Sequence, residues 1–275
     1  MSRRWVFGFA VAALLLMACQ TPVSNPGPGE PPPGPVDGFP SSMVALGDSI
    51  TAAYGSCLAP TACPRNSWAT GDGTQVNSHY RRILASNPAI KGHNTNVAKP
   101  GSTSADLPGQ AASAAATPVD YVTVLVGAND ACKGGMTPAG TFGANVSQAL
   151  HTISAAMPAA QVLVVSIPNV FRVWEIGHTN KVALAAWRSG VCPNLLTNPT
   201  SDDPADIARR QAFADQIAAY NDRLAGACGS IAHCRYVDIS TFAFEFTMLS
   251  AIDFFHPNAA GQQALADQSY PGFGT

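Results

Sequence analysis

From residue 43 onward, apolar β-branched runs take turns with stretches of helical period, and few folds are open to a chain so patterned. Strands are predicted at MVALG (43–47), NTNVA (94–98), DYVTVLVG (120–127), QVLVVSI (161–167) and RYVDI (235–239). The third and fourth are nearly continuous β-branched runs, the pattern of strands covered on both faces. Phe142, Val146, Leu150, Ile153 and Met157 recur three or four apart, as do Phe213, Ile217, Tyr220 and Leu224, so helices are predicted between strands. The expected class is α/β, an open parallel sheet with helices on both faces. In such sheets, sites form beyond the carboxyl ends of the strands. Two connections, 55–73 and 168–206, are too long for plain loops, and both are placed to build a cleft.

The residues before 43 read differently. Arg3 and Arg4 precede the short apolar run WVFGFAVAALLLMA, which fits the core of a secretory signal better than a membrane span. It ends in LMAC, a pattern that resembles the lipobox of bacterial lipoproteins. That resemblance implies a signal peptide over 1–18, cleavage before Cys19, and lipid attached to Cys19. Residues 19–42 then form a linker rich in proline and glycine, unable to bury a core, and 43–275 form the body. Cleavage removes two arginines and no acid, taking the net charge from −2 to −4. No basic footprint suggests a nucleic-acid partner, and any membrane association is expected to come from the lipid anchor. The protein is expected to be exported, either held at the cell envelope through Cys19 or released.

Six cysteines remain in the body, an even number that reads as disulfides in an exported chain. Several pairings are open. Cys57–Cys63 and Cys228–Cys234 are favoured because each closes a short loop, which leaves Cys132–Cys192 to tie two distant loops. Zinc spacing is absent, so no metal is expected. There is no internal repeat and no oligomer signal, and a monomer is expected.

Four short stretches carry candidate chemistry: GDSIT after the first strand, NVAKPG through the second, GAND after the third, and DFFHPNAAG near the C-terminus. A serine hydroxyl is a poor nucleophile until a base adjoins it, and histidine is the usual base. An aspartate on the far ring nitrogen fixes the tautomer. Asp253 and His256 are three apart, so one loop can present both. Ser49 sits where the first strand is expected to hand over to a helix, a place where backbone N–H groups can face an oxyanion. Each stretch alone has a plainer reading, with Ser49 as a helix cap and Asp48 and Asp130 as turn or loop-bonding residues.

Together and in this order, the four stretches resemble the consensus blocks of the SGNH, or GDSL, hydrolase superfamily, over essentially all of 43–275. The resemblance implies a three-layer α/β/α fold with a five-stranded parallel sheet in flavodoxin-like order. It implies Ser49 as nucleophile, His256 as general base and Asp253 as its partner. An oxyanion hole would come from the N–H groups of Ser49 and Gly101 and the side-chain amide of Asn129. The expected activity is carboxylic ester hydrolysis of the lipase or esterase type on a small-molecule, lipid or glycan ester. A carbohydrate O-acetyl esterase of the same fold and a non-catalytic surface-binding lipoprotein are the alternatives. Trp174, Trp68 and Tyr54 are candidate substrate contacts. The α/β-hydrolase elbow, the Walker A sequence and the dinucleotide fingerprint are all absent, so no cofactor is expected.

Overall fold

The computed structural model describes Pro35 and residues 38–273, all within the unit 32–275. The leader, Cys19 and most of the proposed linker lie outside the described residues. Five strands form one parallel sheet: β1 Met43–Gly47, β2 Asn94–Asn96, β3 Tyr121–Leu125, β4 Gln161–Val165 and β5 Cys234–Val237. Their order is β2-β1-β3-β4-β5. β1 and β3 are buried along their whole length, which is why they read as nearly continuous apolar runs, with Thr123 as the polar exception in β3.

The longer helices are α1 His79–Ser86, α2 Leu107–Ala115, α4 Ala139–Ala156, α8 Pro204–Gly229 and α9 Ala259–Ser269. α2, α4 and α8 pack side by side. Their inward rows are the ones seen in the sequence: Phe142, Val146, Leu150 and Ile153 on α4, and Phe213, Ile217, Tyr220 and Leu224 on α8. α1 and α9 join across the His79–Ser269 bond at 3.0 Å, and Tyr121 of β3 reaches His79 from beneath. The result is the three-layer α/β/α arrangement expected from the alternating pattern. Phe39–Ser42 also lie against this body, since the Asn87 side chain donates to the carbonyls of Phe39 and Pro40.

The strand order places a switch point at β1, whose two neighbours are reached by crossovers in opposite directions. Gly47 of β1 pairs in register with Leu125 of β3. A side chain at Gly47, whose φ is +148°, would collide with the Leu125 carbonyl oxygen. The glycine therefore lets the chain turn sharply between two close strands and deliver Asp48 and Ser49 to the sheet's carboxyl edge. Gly127 (φ +129°) plays the same part after β3, where a Cβ would strike Ile167 and Phe142.

The expected helix after β1 does not form. Residues 48–57 make a succession of turns, and the first α-helix begins at His79. Ala52 N bonds Asp48 O and Tyr54 N bonds Ser49 O, but Ala53 is left-handed (φ +52°) and Gly55 follows at +75°. Those two conformations end the helical path after one turn.

The excursion 168–206 holds three short helices, α5 Phe171–Gly177, α6 Lys181–Trp187 and α7 Pro193–Leu196. Between β3 and α4 lies α3, Ala128–Cys132. Cys57 is paired with Cys63, Cys132 with Cys192, and Cys228 with Cys234.

Candidate active site

Ser49 stands just past β1, and its hydroxyl lies 2.8 Å from His256 Nε2. His256 Nδ1 lies 2.5 Å from Asp253 Oδ2. The other Asp253 oxygen accepts the backbone N–H groups of Phe255 and His256, both at 3.0 Å, so the carboxylate caps its own loop. Burial raises the Asp253 carboxyl, but the His256 ring and these amides outweigh burial and hold it below its ordinary value. It is therefore an anion at neutral pH, an acceptor only. Nδ1 must carry the ring proton, and bare Nε2 is left to accept from Ser49.

The loop bearing Asp253 and His256 is fixed from several sides. Phe254 is left-handed (φ +52°), which folds Asp253 back beneath His256. Asn258 caps α9 by accepting the Ala260 and Gly261 amides. The Ser250 hydroxyl donates to Gly55 O at 2.8 Å, and Gln262 of α9 donates to Ile50 O at 2.8 Å. These two bonds lock the histidine loop to the serine turn across about two hundred residues of sequence.

The wall around Ser49 comes from Tyr54, Pro100, Gly101, Asn129, Ser189, Gly190 and Val191, enclosing about 360 Å³ with Asp253 and His256. Among the described residues, neither the Ser49 nor the Gly101 backbone N–H has an acceptor. Asn129 Nδ2 donates to Ser102 O at 2.9 Å, which aims the amide at this cleft and leaves its second hydrogen for another acceptor. Asp130, next along α3, accepts the Ser104 N–H and hydroxyl at 2.8 and 2.7 Å and so moors α3 to the segment after Gly101. Burial pushes its carboxyl up, against those bonds.

Asp48 lies fully buried beneath Ser49. Its Oδ1 accepts the Ile50 N–H at 2.9 Å, and its Oδ2 makes no hydrogen bond of ordinary geometry. Burial pushes its pKa to about 6, against the pull of the Ile50 amide and His256.

The three substrate-contact candidates separate. Tyr54 lines the cleft, its ring centroid 4.8 Å from that of His256. Trp68 does not. It is fully buried, donates to Thr51 Oγ1 at 3.3 Å and meets His79 edge-on, so the aromatic expected in a pocket fills the core instead. Trp174 is also outside the cleft lining. It stacks on His178, lies 4.6 Å from the Arg210 guanidinium and donates to Pro199 O. Ser189, Gly190 and Val191 were not anticipated, although the length of the 168–206 excursion pointed to that region. Among the described residues, no group of three or more His, Cys, Asp or Glu side chains could hold a metal ion.

A sequence model of the GDSL-like Lipase/Acylhydrolase family matches residues 45–264, most of the chain. The chain belongs to this family. As a GDSL hydrolase it is an enzyme, a carboxylic ester hydrolase. No curated protein sequence matches it. Among solved structures, a carbohydrate esterase family 3 protein from Talaromyces cellulolyticus is 19% identical with a TM-score of 0.51, covering 84% of this chain and 95% of that one. The lipase Lip_vut3 from a goat rumen metagenome is 15% identical with a TM-score of 0.50, covering 82% and 94%. A putative GDSL-like lipase from Parabacteroides merdae is 14% identical, also at 0.50, covering 82% and 92%. At these identities the likenesses show the fold alone.

Proposed function

We propose that this GDSL hydrolase cleaves esters through an acyl-Ser49 intermediate. The observation that carries the reading is the unbroken chain of contacts from Ser49 Oγ through His256 to Asp253. Ser49 Oγ attacks the ester carbonyl while His256 Nε2 takes its proton. The developing oxyanion is met by the Ser49 and Gly101 N–H groups and by Asn129 Nδ2. His256 then protonates the departing alcohol. Water enters, gives its proton to His256 and releases the acid, restoring Ser49. Replacement of Ser49 by alanine is expected to abolish turnover of a short-chain aryl ester, and retained wild-type turnover would overturn the reading.

The cleft favours a short acyl group. Its lining is mostly polar or glycine, with Tyr54, Pro100 and Val191 as the apolar surface facing a chain. This supports the carbohydrate O-acetyl esterase reading over long-chain lipid hydrolysis. A series of aryl esters of increasing acyl length decides between them, with acetate preferred in the first case and long chains in the second.

The three cystine pairs suit an oxidising compartment, in agreement with an exported protein whose Cys19 carries lipid. Among the described residues no helix is long and apolar enough to cross a membrane. The proposed tether is Cys19, on the strength of the lipobox-like LMAC that it ends. Mass spectrometry of the amino-terminal peptide from the membrane fraction is expected to find Cys19 as the first residue, carrying lipid, and an unmodified Cys19 there would overturn the tether.

A further inference from the structure

Three chain segments that are distant in sequence form the cleft opposite His256: Pro100–Gly101, Asn129 on α3, and Ser189–Val191 after α6. The last is held at its near end by Trp187, which is buried and donates through Nε1 to Phe254 O at 3.2 Å, and Val191 packs against the core. The Ser189 hydroxyl donates back to Ala186 O, and the Gly190 N–H bonds Trp187 O, both within the end of its own helix. Ser189 and Gly190 are exposed. On the side facing Asn129 and Gly101 the segment is fastened at its far end. Cys192, the next residue after Val191, is joined to Cys132, the last residue of α3 and three beyond Asn129. Cys192 is left-handed (φ +42°), a conformation a residue with a side chain keeps only when its surroundings impose it. Polar straps run alongside. Asn194 Nδ2 donates to Ala131 O at 2.7 Å and also to Lys133 O, and Lys133 Nζ donates to Gly101 O at 3.0 Å.

We propose that the Cys132–Cys192 cross-link sets the width of the cleft and thereby the size of ester the enzyme accepts. It holds the Ser189–Val191 wall at a fixed distance from Asn129 and Gly101, and without it the wall moves away and bulkier acyl groups enter. The other long-lived constraint near a strand, Cys228–Cys234, lies at the amino end of β5, on the opposite edge of the sheet from Ser49, and has no such part. The inference rests on the Ser49 reading above, and its test keeps the two apart.

The full mature chain and its Cys132→Ser/Cys192→Ser variant are compared for kcat/KM on p-nitrophenyl acetate and p-nitrophenyl octanoate, with Ser49 labelled by a fluorophosphonate. The octanoate-to-acetate ratio is expected to rise about tenfold, the scale of a pocket changed by a methylene or more. Cys228→Ser/Cys234→Ser is expected to keep the wild-type ratio. An unchanged ratio in the first variant, or an equal rise in the second, overturns the inference while Ser49 is labelled. Failure to label Ser49 in the wild type overturns the Ser49 reading instead. If the first variant does not fold, native wild-type protein is reduced with a phosphine and alkylated. The ratio must then rise with the mapped alkylation of Cys132 and Cys192, and a flat response overturns the inference.

Discussion

His256 and His79 each reach a serine hydroxyl through Nε2, Ser49 at 2.8 Å and Ser269 at 3.0 Å. The two contacts run in opposite directions. The Ser269 hydroxyl donates to Leu265 O at 2.6 Å, so it can only accept from His79, whose Nε2 must carry the proton. His79 Nδ1 then accepts from the Tyr121 hydroxyl at 2.9 Å. At His256 the Asp253 carboxylate claims the Nδ1 proton, and Nε2 is free to accept. His79 is also sealed off, with burial pushing its pKa down to about 3 and the Arg82 charge adding to the effect. A serine beside a histidine is thus not by itself a relay. In the proposed mechanism, the group on the second ring nitrogen and the opening to solvent separate the Ser49–His256 relay from the His79–Ser269 core clasp.

The largest expected effect comes from making the two histidines alike. Asp253→Asn replaces an obligatory acceptor with an amide that can donate to Nδ1, which puts the proton on the wrong nitrogen. A kcat loss of about 10⁴-fold is expected on a short-chain aryl ester, from the behaviour of such triads, and steady-state kinetics on the folded variant checks it. A loss of less than tenfold would mean the carboxylate does not set the tautomer.

Next comes the core side of the comparison. His79 is neutral when folded and takes a proton when unfolded below its ordinary value of 6.5. The unfolded chain therefore binds more protons between pH 6.5 and about 3, and stability falls as pH falls through that window. The slope is about 1.4 kcal/mol per pH unit for one proton. His79→Gln is expected to flatten the acid limb of denaturant-unfolding stability by this amount while leaving kcat unchanged. An unaltered acid slope would show that His79 is not the group responsible.

Asn129→Ala sharpens the catalytic side with a smaller effect on rate than Asp253→Asn. Asn129 is the proposed oxyanion donor, and removing one such donor costs about 2.7–4 kcal/mol of transition-state stabilisation. The loss should appear in kcat more than in KM, and a change confined to KM would assign Asn129 to ground-state binding.

The legible parts of the molecule were those written in residue type and spacing. β1 and the inward rows of α4 and α8 were visible because burial on one or both faces dictates composition. The nearness of Ser49, Asp253 and His256 was visible because each sits in a short motif tied to a strand end or a tight loop. Other features depend on the path of the chain. Trp68 and Tyr54 are both aromatics soon after Ser49, but only packing against His79 and Thr51 tells which one turns inward. The helix expected after β1 was stopped by the left-handed Ala53, a residue whose type does not foretell that conformation. The wall at Ser189–Val191 has no chemical signature. It lies between the buried Trp187 and the Cys132–Cys192 pair, and neither residue type marks it as cleft lining.

The most direct test of the contrast is site-mapped covalent labelling. The native enzyme is treated with an excess of a fluorophosphonate, digested, and the modified serines are located by mass spectrometry. The account predicts one adduct, on Ser49, with Ser269 untouched and no labelling at all in Ser49→Ala. Labelling that leaves Ser49 free, or that persists undiminished in Ser49→Ala, would contradict it.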